Sequence, residues 1–251
     1  MIRKSFIFLE NINQATERAI WDQGIIDWDD FLSSEKVKGI SSKRKAFYDR
    51  KLREAKRALY SFDSSYFIGK LPRNEYWRLY NFFKDEAVYL DIETSGFGKH
   101  SYITVIGLFD GYDTKIMIKD INLDMDALVN ELKRYKLIVT FNGAVFDIPF
   151  IRKRYPYFPN IPNFDLRFCC GKLGLKGGLK DVEKRVGIRR SKVIEELSGG
   201  DALTLWKMYK ATGDEYYLEL LVNYNGEDCM NLKTIAEHVY KRMEEFYTLK
   251  R

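Results

Sequence analysis

Histidine and cysteine are scarce in this chain, with two histidines (His100 and His238) and three cysteines in 251 residues. Two histidines leave little material for a histidine-based zinc site or a serine-histidine-aspartate hydrolase, and His238 reads as an ordinary helix residue. Cys169, Cys170 and Cys229 lack any C-x-x-C spacing, so reduced, buried thiols are expected rather than a zinc or disulfide framework. No run of 18 or more apolar residues occurs, which excludes a membrane-spanning helix. The first ten residues have too short an apolar core for a secretory signal, and a cytoplasmic protein is expected. Proline is also sparse, and Pro156, Pro159 and Pro162 gather in one irregular connection. Internal repeats and low-complexity segments are absent. The 45 % hydrophobic content is that of a globular chain able to bury a sizeable core in one or two domains.

Positive charge is concentrated rather than spread. Residues 36–57 hold ten basic side chains against Asp49 and Glu54, a local excess of +8 in a chain whose net charge is +6. A basic helical face can neutralise phosphates and release their counterions, giving salt-sensitive binding without base specificity. Lys43, Arg44 and Lys45 are the candidate phosphate contacts, although such a run also serves as a solvated helix face.

The chain changes character near residue 85. Residues 1–84 form a mostly helical, basic region, with helices over 16–21 and 28–32. Gly24 ends the first and Asp27 begins the second. Strands are predicted over 87–93, 102–109 and 115–119, with a hairpin at Gly111-Tyr-Asp, then a helix over 124–135, a strand over 137–141, and a helix over 146–154. A short strand near Asn163-Phe-Asp and mainly helix after 178 complete an α/β domain over 85–251. Asp165 is expected to cap the helix that starts at Leu166. Residues 187–200, with Arg189, Arg190, Lys192 and a Gly199-Gly200 hinge, read as a basic loop that could close over nucleic acid.

Three acidic stations carry the chemistry. In Tyr89-Leu-Asp-Ile-Glu-Thr, Asp91 and Glu93 are two apart on a strand and therefore share a face, where like charges disfavour each other's ionisation. A divalent cation is the simplest compensation, because hard ions take carboxylate oxygens. Asp147 follows the strand that breaks at Asn142-Gly143, placing it at the carboxyl edge of a sheet, where α/β folds put their sites. A helix-start cap is the alternative. Tyr224 and Asp228 lie four apart on a late helix, one above the other, so the acid can hold a metal while the phenol orients or deprotonates water. An isolated Tyr-Asp pair can equally be a surface contact.

This series resembles the DEDD (DnaQ-like) 3′–5′ exonuclease superfamily. Asp91 and Glu93 match the first motif, Asp147 the second, and Tyr224 with Asp228 the tyrosine form of the third, called DEDDy. Leu179-Lys-Asp-Val-Glu-Lys-Arg-Val-Gly-Ile-Arg, Leu205-Trp-Lys-Met-Tyr-Lys and Tyr224-Asn-Gly-Glu-Asp bring the similarity nearest to the YprB-like exonucleases, over roughly residues 85 to 240. The resemblance implies a ribonuclease-H-like mixed five-stranded sheet with flanking helices. It also implies phosphodiester hydrolysis at the 3′ end of DNA or RNA by two magnesium or manganese ions. Asp91 would bridge both ions, Glu93 and Asp228 would complete one site, and Asp147 would hold the second ion. Tyr224 would position the attacking water, and Thr94 and Asn142 would touch the terminal nucleotide. The region before residue 85 resembles a helix-hairpin-helix element in which Glu10-Asn-Ile-Asn-Gln replaces the glycine-bearing hairpin. That replacement leaves backbone-phosphate contact or a packing role open. A structure-selective endonuclease on the same fold and a catalytically silent nucleic-acid-binding module are the alternatives.

Overall fold

The computed structural model describes residues 1–195, 197 and 199–249. Asn13 caps α1 (Gln14–Trp21) by accepting the Thr16 amide, and Gly24, at φ 82°, turns the chain away from it. Asp27 and Asp30 form a reciprocal capping box on α2 (Trp28–Ser33). Ser41 caps the basic α3 (Ser42–Tyr60), and two 3-10 turns lead into α4 (Tyr80–Phe83). The strands are β1 (Ala87–Thr94), β2 (Ile103–Phe109) and β3 (Thr114–Ile118), followed by α5 (Met125–Leu132), β4 (Leu137–Thr140), α6 (Asp147–Arg154) and β5 (Asn163–Asp165). Then come α7 (Leu166–Lys172), α8 (Leu179–Val186), α9 (Lys192–Glu195), α10 (Gly199–Thr212) and the long α11 (Glu215–Leu249). Each strand lies within a residue or so of its expected position. The segment expected as a loop over 187–200 is instead broken by α9, and Gly199 and Gly200 open α10; residues 196 and 198 lie outside the described residues.

The sheet runs β3-β2-β1-β4-β5, a mixed five-stranded α/β sheet with flanking helices. β1 pairs antiparallel with β2 and parallel with β4, and β4 pairs parallel with β5. Alternation along β1 sorts its side chains. Val88, Leu90 and Ile92 join a core with Leu128 and Leu132 of α5 and Ile148 and Ile151 of α6, whereas Ala87 and Tyr89 face the opposite core. Asp91 and Glu93 continue that second series. The face they occupy is covered by α11, whose buried stripe runs Leu221, Tyr224, Asn225, Asp228, Cys229, Leu232, Ile235, Val239 and Met243, advancing three or four residues at a time with adjacent pairs at 224/225 and 228/229.

The same stripe extends into the N-terminal region. Ile2, Phe6, Trp28, Leu52 and Trp77 share one continuous core with Ile235, Val239, Met243 and Tyr247 of α11 and with Ala87 and Tyr89 of β1. Beneath it lies a buried charge network. Arg78 pairs with Glu17 at 3.0 Å and with Glu75 at 2.8 Å, and Glu17 also accepts from the Ser5 hydroxyl and the Phe6 amide. In the hairpin-like turn, Asn11 takes the left-handed conformation (φ 62°) that glycine would otherwise supply, and the Glu10 carbonyl accepts a hydrogen bond from Tyr48. All three cysteines are free and buried. Among the described residues, no helix is long and apolar enough to cross a membrane.

Candidate active site

Asp91, Glu93 and Asp228 each offer a carboxylate oxygen, and the three oxygens lie within 4.8 Å of one another. β1 supplies two of them because side chains two apart share a strand face, and α11 supplies the third by crossing that face. The crossing is close because Asp91 is paired with Gly107 on β2. A Cβ at Gly107 would come within 2.2 Å of Asn225 Oδ1 and 2.6 Å of Cys229 Sγ. The missing side chain is therefore what lets α11 settle onto the sheet. Asn225, fully buried, donates through Nδ2 to Asp91 Oδ2 at 2.8 Å and so orients that carboxylate.

Asp147 is reached by a different route. The β1–β4 ladder ends at Tyr89↔Val139, and beyond it the Ile92 amide donates to Asp147 Oδ1 at 3.1 Å instead. The turn that delivers Asp147 is held by Asp165, which accepts from the amides of Asn142 (2.8 Å) and Ala144 (2.9 Å) while also capping α7 through Arg167. Asp147 thus stands beside the three-acid group rather than within it. Asn142, at φ 68°, builds the turn with a left-handed backbone and accepts from the amides of Val145 and Phe146. Thr94 donates its hydroxyl to the Gly96 carbonyl at 3.0 Å.

Burial and mutual repulsion dominate the electrostatics. Desolvation, with Asp228 and Asp147 adding to it, pushes the Asp91 and Glu93 carboxyls well above the usual range. Burial likewise raises Asp147 to about 7, and raises Asp228 to about 6 although Arg190 pulls it the other way. The Tyr224 phenol is pushed up by burial and then by Asp228 and Glu93, so it stays protonated. Its ring faces two cations, Lys180 Nζ at 5.1 Å and the Arg190 guanidinium at 5.5 Å. Arg190 is not on a loop facing solvent. Its side chain is buried and paired with both Glu183 and Asp228. Among the described residues, no basic side chain pairs with Asp91 or Glu93. Three hard oxygens in a small triangle, with Asp228 alone paired to a guanidinium that it shares with Glu183, fit a divalent cation of the magnesium or manganese type.

Outside this centre, Lys43 and Arg44 are exposed and flank, with Arg50 and Phe47, a groove of about 370 Å³. Lys45 departs from the expected phosphate-facing set. It points inward over the Phe31 ring and is bound to Asp49 at 2.7 Å, because its place on α3 lies on the buried stripe with Tyr48 and Leu52. Near the acids, Phe97 is 88 % exposed and packs 5.8 Å from Phe146. Sequence reasoning passed over Asn225, Gly107, Glu183 and Phe97. For Asn225 a signal exists, since a polar residue at a core-phase position of α11 requires a buried partner. Gly107 becomes informative only once the strand register is known.

A family model of the RNase_H superfamily (RNase_H_2) matches residues 88–240. Among solved structures, the family B DNA polymerase from the hyperthermophilic archaeon Pyrobaculum calidifontis is similar, with 15 % identity and a TM-score of 0.52. That similarity spans 61 % of this chain and 24 % of the polymerase chain, so it speaks to the fold alone. No curated protein matches the sequence. The sheet order, the acids gathered where β1 meets α11, and a family match over more than half the residues lead to one assignment: the chain belongs to the RNase H superfamily.

Proposed function

We propose that this protein is a metal-dependent 3′–5′ exonuclease of the DEDDy type, nearest to the YprB-like enzymes. The observation that carries the reading is the triangle of Asp91, Glu93 and Asp228 oxygens, with Tyr224 one helical turn before Asp228. Bound in pairs, magnesium or manganese ions supply Lewis acidity toward a phosphodiester and lower the pKa of water. Asp91, Glu93 and Asp228 would hold one ion, and Asp147, with Asp91, the other. Tyr224, protonated, would donate a hydrogen bond that orients water rather than remove its proton. Its raised pKa disfavours a general-base role at neutral pH.

Substrate contacts follow from what is exposed nearby. Phe97 and Phe146 offer an aromatic surface on which a terminal base can stack without regard to its identity, and Asn142 and Thr94 line the same end of the sheet. Residues 1–84 act in this proposal as a substrate-holding region, with Lys43 and Arg44 on backbone phosphates.

End-labelled single- and double-stranded DNA and RNA, incubated with Mn²⁺ or with EDTA, test the reading. Stepwise shortening from the 3′ end in Mn²⁺ and none in EDTA is expected. Asp91→Ala or Asp228→Asn should cost several kcal/mol of charge stabilisation, about 10³-fold or more in rate, while nucleic-acid binding survives. Discrete internal cuts point to an endonuclease, binding without cleavage to a silent module, and a wild-type rate in either variant defeats the assignment.

A further inference from the structure

The segment 179–190 supplies none of the acids of the triangle, yet it provides the guanidinium that touches one of them. α8 ends at Gly187, whose φ of 85° turns the chain back, so that Arg190 returns along the helix it has just left. Arg190 Nε and Nη2 donate to the two carboxylate oxygens of Glu183, both at 2.7 Å, and Nη2 also donates to Asp228 Oδ1. Glu183 is fixed in turn by Asn231 Nδ2 at 3.0 Å. The side chains are only 4 % (Arg190), 2 % (Glu183) and 7 % (Asp228) exposed.

We infer that Arg190 is a positioning residue for the metal site, a strut that holds Asp228 in one rotamer, with Glu183 holding the strut. The inference rests on the reading above that Asp228 is a metal ligand. The fork to Glu183 already pairs the Arg190 charge bidentately through Nε and Nη2, so charge pairing alone does not call for the further bond to Asp228. The additional bond goes to the one acid of the triangle that comes from a different element, where repulsion from Asp91 and Glu93 acts to turn the carboxylate away. Arg190 takes Oδ1, and Oδ2 makes no hydrogen bond among the described residues, so one oxygen is fixed and the other is left for an ion. A carboxylate held by an outer partner in this way gains ligand order before the ion arrives.

Mn²⁺ titration by calorimetry on the full chain, together with thermal unfolding in EDTA, separates the possibilities. Arg190→Met should weaken Mn²⁺ binding about 10- to 100-fold and lower Tm, because Glu183 loses its counterion. Arg190→Lys, which cannot fork, should recover part of both. The double variant Glu183→Leu/Arg190→Met removes both charges of the pair and should recover Tm toward wild type while Mn²⁺ binding stays weak. Should Arg190→Met not fold, the double variant carries the test alone. Mn²⁺ affinity that is unchanged or stronger in Arg190→Met, or restored in the double variant, overturns the inference. Wild-type protein that binds no Mn²⁺ overturns the underlying reading as well, a result distinct from variants that keep wild-type affinity.

Discussion

Two clusters of buried charge, built from the same residue types, behave in opposite ways. Beneath the N-terminal region, Glu17 and Glu75 enclose Arg78, Lys172 lies 3.9 Å from Glu75, and the carboxylates also accept from Ser5, Phe6, Gln14 and Trp77. There, anion is matched by cation and by donor. At the sheet edge, Asp91, Glu93, Asp147 and Asp228 have among them one guanidinium, already divided with Glu183. A buried ion network in which cation faces anion and most polar atoms are hydrogen-bonded serves the fold, whereas an unmatched surplus of negative charge costs stability that protonation or an added cation returns. The contrast separates a structural network from a candidate metal site without reference to any motif.

The contrast is most directly broken by exchanging charge. Arg78→Met should destabilise the protein by about 3–5 kcal/mol, since it strands two buried carboxylates, whereas Asp91→Asn should leave metal-free stability unchanged or raise it by about 1 kcal/mol. Urea unfolding in EDTA measures both, and a large loss for Asp91→Asn would erase the distinction. A smaller effect is expected at Gly107. Gly107→Ala pushes a methyl group into Asn225 and Cys229, costing about 1–3 kcal/mol by overpacking. Displacing Asn225 and Asp228 with α11 should slow cleavage by about 10²-fold, beyond what the stability loss explains at temperatures well below Tm.

Acidity sharpens the comparison further. Folding raises Asp228 from 3.8 to about 6 and Asp147 from 3.8 to about 7, so between pH 4 and 7 these two groups bind more protons in the folded metal-free protein than in the unfolded chain. Stability from these groups is complete below about pH 4 and is lost as pH rises through 6 to 7. The buried Met1 amino group, lowered from 8.0 to about 6, gains stability between pH 6 and 8 and opposes this, so the comparison is made against Asp147→Asn/Asp228→Asn. In EDTA the wild-type Tm should drop by several degrees relative to that variant from pH 5.5 to pH 8, and saturating Mn²⁺ should shrink the drop. A wild-type Tm in EDTA that does not drop relative to the double variant would mean that the acids are compensated within the protein after all. The smallest effect belongs to the exposed cations, which belong to neither cluster. Replacing Lys43 and Arg44 with alanine should flatten the log–log salt dependence of nucleic-acid binding by about two units, and an unaltered slope would make that face of α3 merely solvated.

Local spacing carried most of what the sequence disclosed. Asp91 and Glu93 share a face because they are two apart, Tyr224 and Asp228 because they are four apart, and the strand positions followed from apolar runs bounded by turns. Asp165 as a cap and the buried thiols were legible for the same reason. What escaped depends on pairings between distant segments. Arg190 reads as loop charge until α8 and α11 are placed side by side, 38 residues separating it from Asp228. Lys45 reads as one basic residue among ten until the phase of α3 turns it toward Phe31. Gly107 has no message before its register opposite Asp91 is fixed.

Helix α11 is a rod of 35 residues, on the order of 50 Å long. Tyr224, Asn225 and Asp228 sit toward one end, and Val239, Met243 and Tyr247 are seated in the N-terminal core near the other. An α-helix resists bending over such a span unless a proline or bulge interrupts it, and no proline lies within 215–249. The anchorage of the first helices and the alignment of the acids are accordingly mechanical properties of one beam. Loosening its far seating would tilt the chemistry at the other end, and excising residues 1–84 would lay bare an oily flank rather than liberate a self-sufficient enzyme.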